Sequence, residues 1–195
     1  MSDSNRFRRI SALVVGLVLL LPTWSGEAHE IPADVTLQAF VAPEADVIRA
    51  LVRVPLPSMR DYIFPVRDPG YLEIEEATEL SQEAAVQWVR NYVVMFEGDE
   101  SLGLPEVADV RIAFPGDRAF ESYETALANI RSAPLPPTTE LPLQQAMLDV
   151  LLEWPIASED SEFTIDARWA HLGIRTLPVL RFLPAGVAEL AFQYT

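Results

Sequence analysis

Apolar and polar residues alternate from Thr36 to Val41, and again from Val47 to Val54 after the turn-like Pro43-Glu44-Ala45-Asp46. A period of two buries one face of an extended chain, so the two runs predict a β-hairpin. The next stretch, PLPSMRDYIFPVRDPG from Pro55 to Gly70, holds four prolines and no sustained period. It is expected to cross the surface or cap one end of a sheet, as the longest irregular connection. Leu80, Ala84, Ala85, Trp88, Val89, Tyr92 and Phe96 then share one helical face, with Ser81 placed as an N-cap and Gly98 past the end. This predicts a first helix. Val107 to Phe114 alternates as a strand, and beyond Pro115-Gly116-Asp117 the spacing of Phe120, Tyr123, Leu127 and Ile130 predicts a shorter second helix.

Leu143 to Ile156 satisfies two periods at once. Leu143, Ala146, Met147, Val150, Leu151 and Trp154 suit a helix, whereas Leu148, Val150, Leu152 and Trp154 suit a strand. A strand is preferred for the second half, because Pro155 stops it, ASEDSE reads as a polar turn and Phe163-Thr164-Ile165 can pair back. Thr176 to Leu183 and Val187 to Tyr194, separated by Pro184-Ala185-Gly186, predict a last hairpin. Strands open and close the chain around two helices, so the expected fold is mainly β (α+β), an antiparallel β-sandwich-like domain with two inserted helices. The closing run VAELAFQYT stops in mid-alternation and reads as interrupted.

The N-terminus changes the picture. Arg6, Arg8 and Arg9 precede an apolar run from Ile10 to Leu21, and Gly26-Glu27-Ala28 then puts small residues where a signal peptidase cuts. As a helix the run is about 20 Å long, against about 30 Å of hydrocarbon. Residues 1–28 are therefore expected to be a cleaved signal peptide and residues 29–195 a single extracytoplasmic, periplasmic domain, at the outer face of the inner membrane. The leader removes three of the 14 basic and two of the 29 acidic residues, leaving a formal charge of −16. Such a surface excludes nucleic acid as a natural partner and is first of all well solvated. There is no cysteine, so disulfides and thiolate metal sites are excluded, and all 14 basic residues are arginine.

AHEIPADV after the leader, LVRVPLPSMRDYIFPVRDPGYLEI, DRAFESYETALA, LLEWPIASEDSEFTI and AHLGIRTLPVLRFLPAGVAELAFQYT together resemble the extracytoplasmic N-terminal region of HupE/UreJ-like membrane proteins. The resemblance covers essentially the whole mature segment. It implies an exported domain followed by a bundle of transmembrane helices, on the same or a separate chain, associated with the movement of nickel or cobalt. The sequence departs from that pattern in having no run of about 18 apolar residues after the leader, so a membrane-embedded partner is implied for any transport.

Cleavage after Ala28 would leave His29 amino-terminal. Its α-amine and imidazole Nδ1 can chelate one metal through a six-membered ring, with an oxygen from Glu30. Nickel or another divalent transition metal is the ion that such a site and the resemblance suggest, and two nitrogens alone make a weak, open site. His171, among apolar neighbours in RWAHLGIR, reads as a structural histidine. Arg53, Arg60, Asp61, Arg67 and Asp68, with Met59 and Tyr62, either pin the proline-rich segment internally or form a recognition surface, and pinning is preferred because long loops need it. The acidic SEDSE from Ser158 and EGDES from Glu97 lack the ligand spacing of a calcium loop and read as solvated turns. No HExxH, GxSxG, Walker or dinucleotide motif occurs, so the chain is not expected to be an enzyme. Three functions stay open: an accessory or sensing domain of a metal-moving membrane protein, a free periplasmic module binding a protein or small ligand, and a hydrolase without a recognisable motif.

Overall fold

A computed structural model describes residues 34–173, 175–183 and 190–193. The leader, His29 and Glu30 lie outside the described residues, as do Pro184-Ala185-Gly186 and, of the predicted last run, Val187-Ala188-Glu189 and the final two residues. The fold is mainly β with two α-helices among the described residues, and its sheets are predominantly antiparallel.

The predicted first hairpin is present as β1 (Asp34–Glu44) and β2 (Val47–Pro55), joined through Ala45 and Asp46 alone. β8 (Met147–Pro155) runs antiparallel to β2 along its whole length, and β7 (Glu106–Ala113) runs antiparallel to β8 with a bulge between Val107 and Asp109. On the other side of β1 lies β10 (Arg175–Phe182), followed by β11 (Leu190–Gln193). β10 and β11 form the expected antiparallel pair, and β10 joins β1 in parallel. The resulting six-stranded order is β11-β10-β1-β2-β8-β7.

The segment from Leu143 to Ile156 resolves into a single 3₁₀ turn at Leu143–Gln145 and the strand β8. Leu148, Val150, Leu152 and Trp154 point into the main core with Val35, Leu37, Ile48, Val52 and Val54 of the neighbouring strands. The strand reading prevails because its alternating positions all meet apolar partners in register.

Helix α1 (Ile74–Trp88) begins and ends about seven residues earlier than the spacing predicts. Glu75 and Glu76 occupy its first turn, where the helix dipole favours negative charge. Ser81 lies inside it, buried, its hydroxyl donating to the Ala77 carbonyl at 2.7 Å instead of capping. A 3₁₀ turn at Arg90–Tyr92 then leads into β5 (Val93–Glu97), so Tyr92 and Phe96 are not helical. Gly98, at φ 58°, makes the turn from β5 to β6 (Glu100–Ser101) instead of ending a helix. β9 (Phe163–Ala167) pairs with β5, not with β8, and the order β6-β5-β9 makes a second sheet.

α1 and this small sheet share one core with the six-stranded sheet, through Ile74, Ala77, Ala84, Ala85, Val89, Val93 and Met95. The opposite face of the large sheet is covered by α2 (Tyr123–Ile130), where Phe120, Tyr123, Ala126 and Ile130 pack on Phe40, Leu51 and Leu151. Ser122 caps α2 through a reciprocal capping box with Thr125.

The proline-rich segment does not simply cross the surface. Leu56, Met59, Phe64 and Leu72 are buried in the main core, and the paired strands β3 (Val66–Arg67) and β4 (Tyr71–Leu72) turn through a cis Asp68–Pro69 bond. No helix among the described residues is long and apolar enough to cross a membrane.

Candidate functional site

The face of the large sheet under α2 carries polar rows on either side of an apolar one. Phe40, Leu51 and Leu151 lie opposite one another across β1, β2 and β8, and Gln38, Arg53, Asp149 and Arg111 lie opposite one another one pleat away. Arg53 and Asp149 face each other in register, and both are almost wholly buried, at 3% and 0% exposure. The guanidinium grips the carboxylate as a fork, with Nε on Oδ1 and Nη2 on Oδ2, each at 2.7 Å. Asn129 of α2 donates to the same Oδ2 at 3.3 Å, and the Phe120 ring lies 4.4 Å from the guanidinium carbon.

Asp117, in the turn between β7 and α2, supplies a second carboxylate, with Oδ1 2.7 Å from Arg53 Nη1. The same oxygen accepts the Ala119 N–H at 3.2 Å and so starts the 3₁₀ turn at Arg118–Glu121. Burial opposes the Arg53 charge, but the bond and charge of Asp149, then those of Asp117, outweigh it and raise the guanidinium above its ordinary value. Burial lifts the Asp149 carboxyl above the ordinary carboxylate range, while the Arg53 fork pulls it down.

Above this network opens a cleft of about 220 Å³, lined by Gln38, Arg53, Pro115, Gly116, Asp117, Arg118, Phe120 and Glu121. Arg118 stands at its rim, 83% exposed and paired with Glu121 at 2.5 Å. A narrower recess beside it shares Gln38 and Phe120 and is closed by Phe40, Val179 and Arg181. The lining combines oriented N–H donors, two rim carboxylates and one aromatic wall, which is equipment for holding a small polar molecule.

Of the residues singled out in the sequence, Arg53 belongs to this site. His29 and Glu30 lie outside the described residues, and among those described no three histidine, aspartate or glutamate side chains converge as a metal site. His171 is a packed residue of the 3₁₀ turn Trp169–Leu172. Its ring stacks on Tyr92 at 3.6 Å and Trp88 at 5.2 Å, and its nitrogens lie 3.2 Å from the Arg168 and Trp88 carbonyls.

Arg60 and Arg67 pin the proline-rich segment, mostly by donating to carbonyls rather than by ion pairing. Arg60 reaches the His171 carbonyl at 2.9 Å. Arg67 reaches those of Leu72 and Thr139 at 2.7 Å each, and the Glu73 carboxylate at 3.3 Å. Asp61 and Asp68 stay exposed, Met59 is buried in the core and Tyr62 packs against Phe64. Glu97 is not merely solvated: it accepts bonds from Ala157 N, Ser158 N and Ser161 Oγ and clamps the acidic turn, and the Ser161 bond and then that of Ala157 hold its carboxyl below the ordinary value.

As site residues, Asp149, Asp117, Gln38, Arg118 and Phe120 escape the sequence reading, which places Asp117 and Phe120 only as a turn and a helix position. A charged residue inside the apolar run MLDVLLEW is a signal, since buried acids need a cation, but nothing local says which of 14 arginines faces it.

The chain matches no family model and no curated protein sequence. The resemblance to HupE/UreJ-like proteins therefore rests on the quoted strings alone, and several of these are framework. LVRVP is β2 with Arg53, LLEWP is the second half of β8, and FPVRDPGYL supplies Phe64, Arg67 and Leu72.

Proposed function

We propose that the chain is an exported accessory or sensing domain that works with a membrane-embedded helical bundle of the HupE/UreJ-like type, on the same or a separate chain, in the movement of a divalent metal such as nickel. The observation that carries this reading is the succession of a tripartite leader and family-like strings along nearly the whole mature segment, several of which build the sheet and its anchors. His29 and Glu30 are the metal contact in this reading, and their affinity falls in acid because both nitrogens must be deprotonated to bind.

The test is the intact mass of the product recovered from the periplasm, expected to begin at His29, followed by nickel titration of that material. Loss of nickel affinity in His29→Ala supports the chelate and equal affinity ends it. An uncleaved or cytosolic product removes the compartment and the transport reading together. A second reading, a free periplasmic module binding a protein or small ligand, is favoured by the cleft over Arg53. A charge buried at a cost in stability is weakly explained by stability alone.

A further inference from the structure

We propose that the cleft over Arg53 binds a small dicarboxylate, one carboxylate of the ligand taking the place that Asp117 now holds on the guanidinium. Arginine has five N–H donors in a fixed plane. The Nε and Nη2 edge of Arg53 is committed to Asp149, with both bonds at 2.7 Å, and its Cζ lies over the Phe120 ring, 4.4 Å from the centroid. The end-on edge, formed by Nη1 and the second hydrogen of Nη2, has the spacing of a bidentate carboxylate site, and Asp117 approaches it from the Nη1 side alone, by an ion pair to Oδ1 and a hydrogen bond to its carbonyl. That carbonyl lies 3.4 Å from Nη1, and no described residue accepts from the remaining Nη2 hydrogen.

The two acids around Arg53 differ in how firmly they are held. Asp149 is inaccessible and belongs to a central strand, so it stays; Asp117 is 29% exposed and sits on the Pro115-Gly116-Asp117 turn, so it can leave. Exchanging the Asp117 carboxylate for a ligand carboxylate leaves the charge at the guanidinium unchanged, so no additional charge is buried. A phosphate dianion in the same place would add one, within a chain of net charge −15.

A second carboxylate meets Arg118 at the rim, whose partner Glu121 holds it only by a solvent-exposed, screened ion pair. Gln38, opposite Arg53 in register, adds an amide to the floor. At about 220 Å³ the cleft is smaller than the roughly 300–1,000 Å³ of drug-sized sites, which favours a short, compact ligand.

This inference rests on the recognition reading of the domain and on neither its compartment nor its metal. A failure here leaves the leader and the nickel titration untouched, and a cytosolic product leaves the cleft untouched.

The experiment is titration of the purified full chain, wild type, Asp117→Asn and Arg118→Gln, with succinate, acetate and inorganic phosphate, by calorimetry and by chemical-shift change. Asparagine keeps the capping oxygen for Ala119 N–H and removes the competing charge. Succinate is expected to bind wild type, about tenfold more tightly to Asp117→Asn, and severalfold more weakly to Arg118→Gln, with acetate weaker than succinate throughout. Three results would overturn the proposal: no succinate binding to wild-type and Asp117→Asn proteins that both give native circular dichroism, weaker succinate binding by Asp117→Asn than by wild type, or phosphate binding as tight as succinate.

Discussion

Truncating Asp149 to alanine leaves the Arg53 charge buried with only the partly exposed Asp117 to answer it, and is expected to cost about 3–5 kcal/mol in urea unfolding at neutral pH. Replacing both partners, Arg53→Met with Asp149→Leu, removes the desolvated charge with its counter-charge and is expected to return stability close to wild type in the same measurement. Ala45 is a smaller residue-scale strain. It holds φ at 55° in the two-residue turn between β1 and β2, a region where a Cβ costs about 1–2 kcal/mol and glycine pays nothing sterically. Ala45 is exposed, and Ala45→Gly is expected to raise the unfolding free energy measured by urea titration, by up to about 1 kcal/mol once glycine's extra unfolded-state freedom is subtracted.

Glu97 gives a pH dependence with a definite sign. Its folded carboxyl is held below the ordinary value near 4.5 by Ser161 and then Ala157, so the folded state binds protons less readily than the unfolded chain. The contribution is therefore complete above that value and lost as pH falls through the lower folded one. Thermal melts should find Glu97→Gln less stable than wild type at neutral pH, with the gap closing below about pH 4.5. A gap that widens in acid would contradict the clamp.

At the scale of elements, α2 has eight residues, too few to persist by propensity alone. It stays because Tyr123, Ala126 and Ile130 bury against the sheet and because Ser122 and Thr125 satisfy its first amides. Ser122→Ala is expected to cost about 1 kcal/mol by denaturant titration, and Ser122→Asp much less. α1 shows how periodicity misleads at a boundary. Tyr92 and Phe96 continue the spacing of Trp88 by coincidence, while the intervening Tyr-Val-Val run favours extended backbone and buries Val93 and Met95 at a period of two. Phe163 to Ala167 pairs with β5 because Glu97 and the bond from Gly98 N to the Glu162 carbonyl, at 2.7 Å, hold the crossing between sheets. None of these partners is near in sequence.

At the scale of the molecule, the large sheet is buried on both faces, by α1 and the small sheet on one and by α2 on the other. Trp154 stands where these layers meet: it is fully buried in the main core, and its Nε1 donates to the Gly103 carbonyl at 3.1 Å, tying β8 to the loop after β6. Trp154→Ala is expected to cost about 3–5 kcal/mol. Because α1 and the small sheet share one core with the large sheet, far-ultraviolet dichroism and fluorescence from the remaining tryptophans should still report a single coincident transition. Two separated transitions would mean that the small sheet and α1 fold apart from the large one.

Alternation by itself determined where β1, β2, β7 and the last pair of strands lie, because a period of two is a local property written directly into the chain, whereas β8 satisfied both periods and needed Pro155 and the polar turn after it to read as a strand. Composition determined the absence of disulfides, and the charge determined the kind of surface. Local period did not determine partners. The parallel union of β1 with β10, the placement of β9 beside β5 and the burial of Leu56 and Met59 depend on contacts far apart in the chain, where register decides the outcome. The candidate site is of this second kind: Arg53 and Asp149 are 96 positions apart, and only the pairing of β2 with β8 sets one carboxylate against one guanidinium and leaves the other edge of that guanidinium to Asp117 and the cleft.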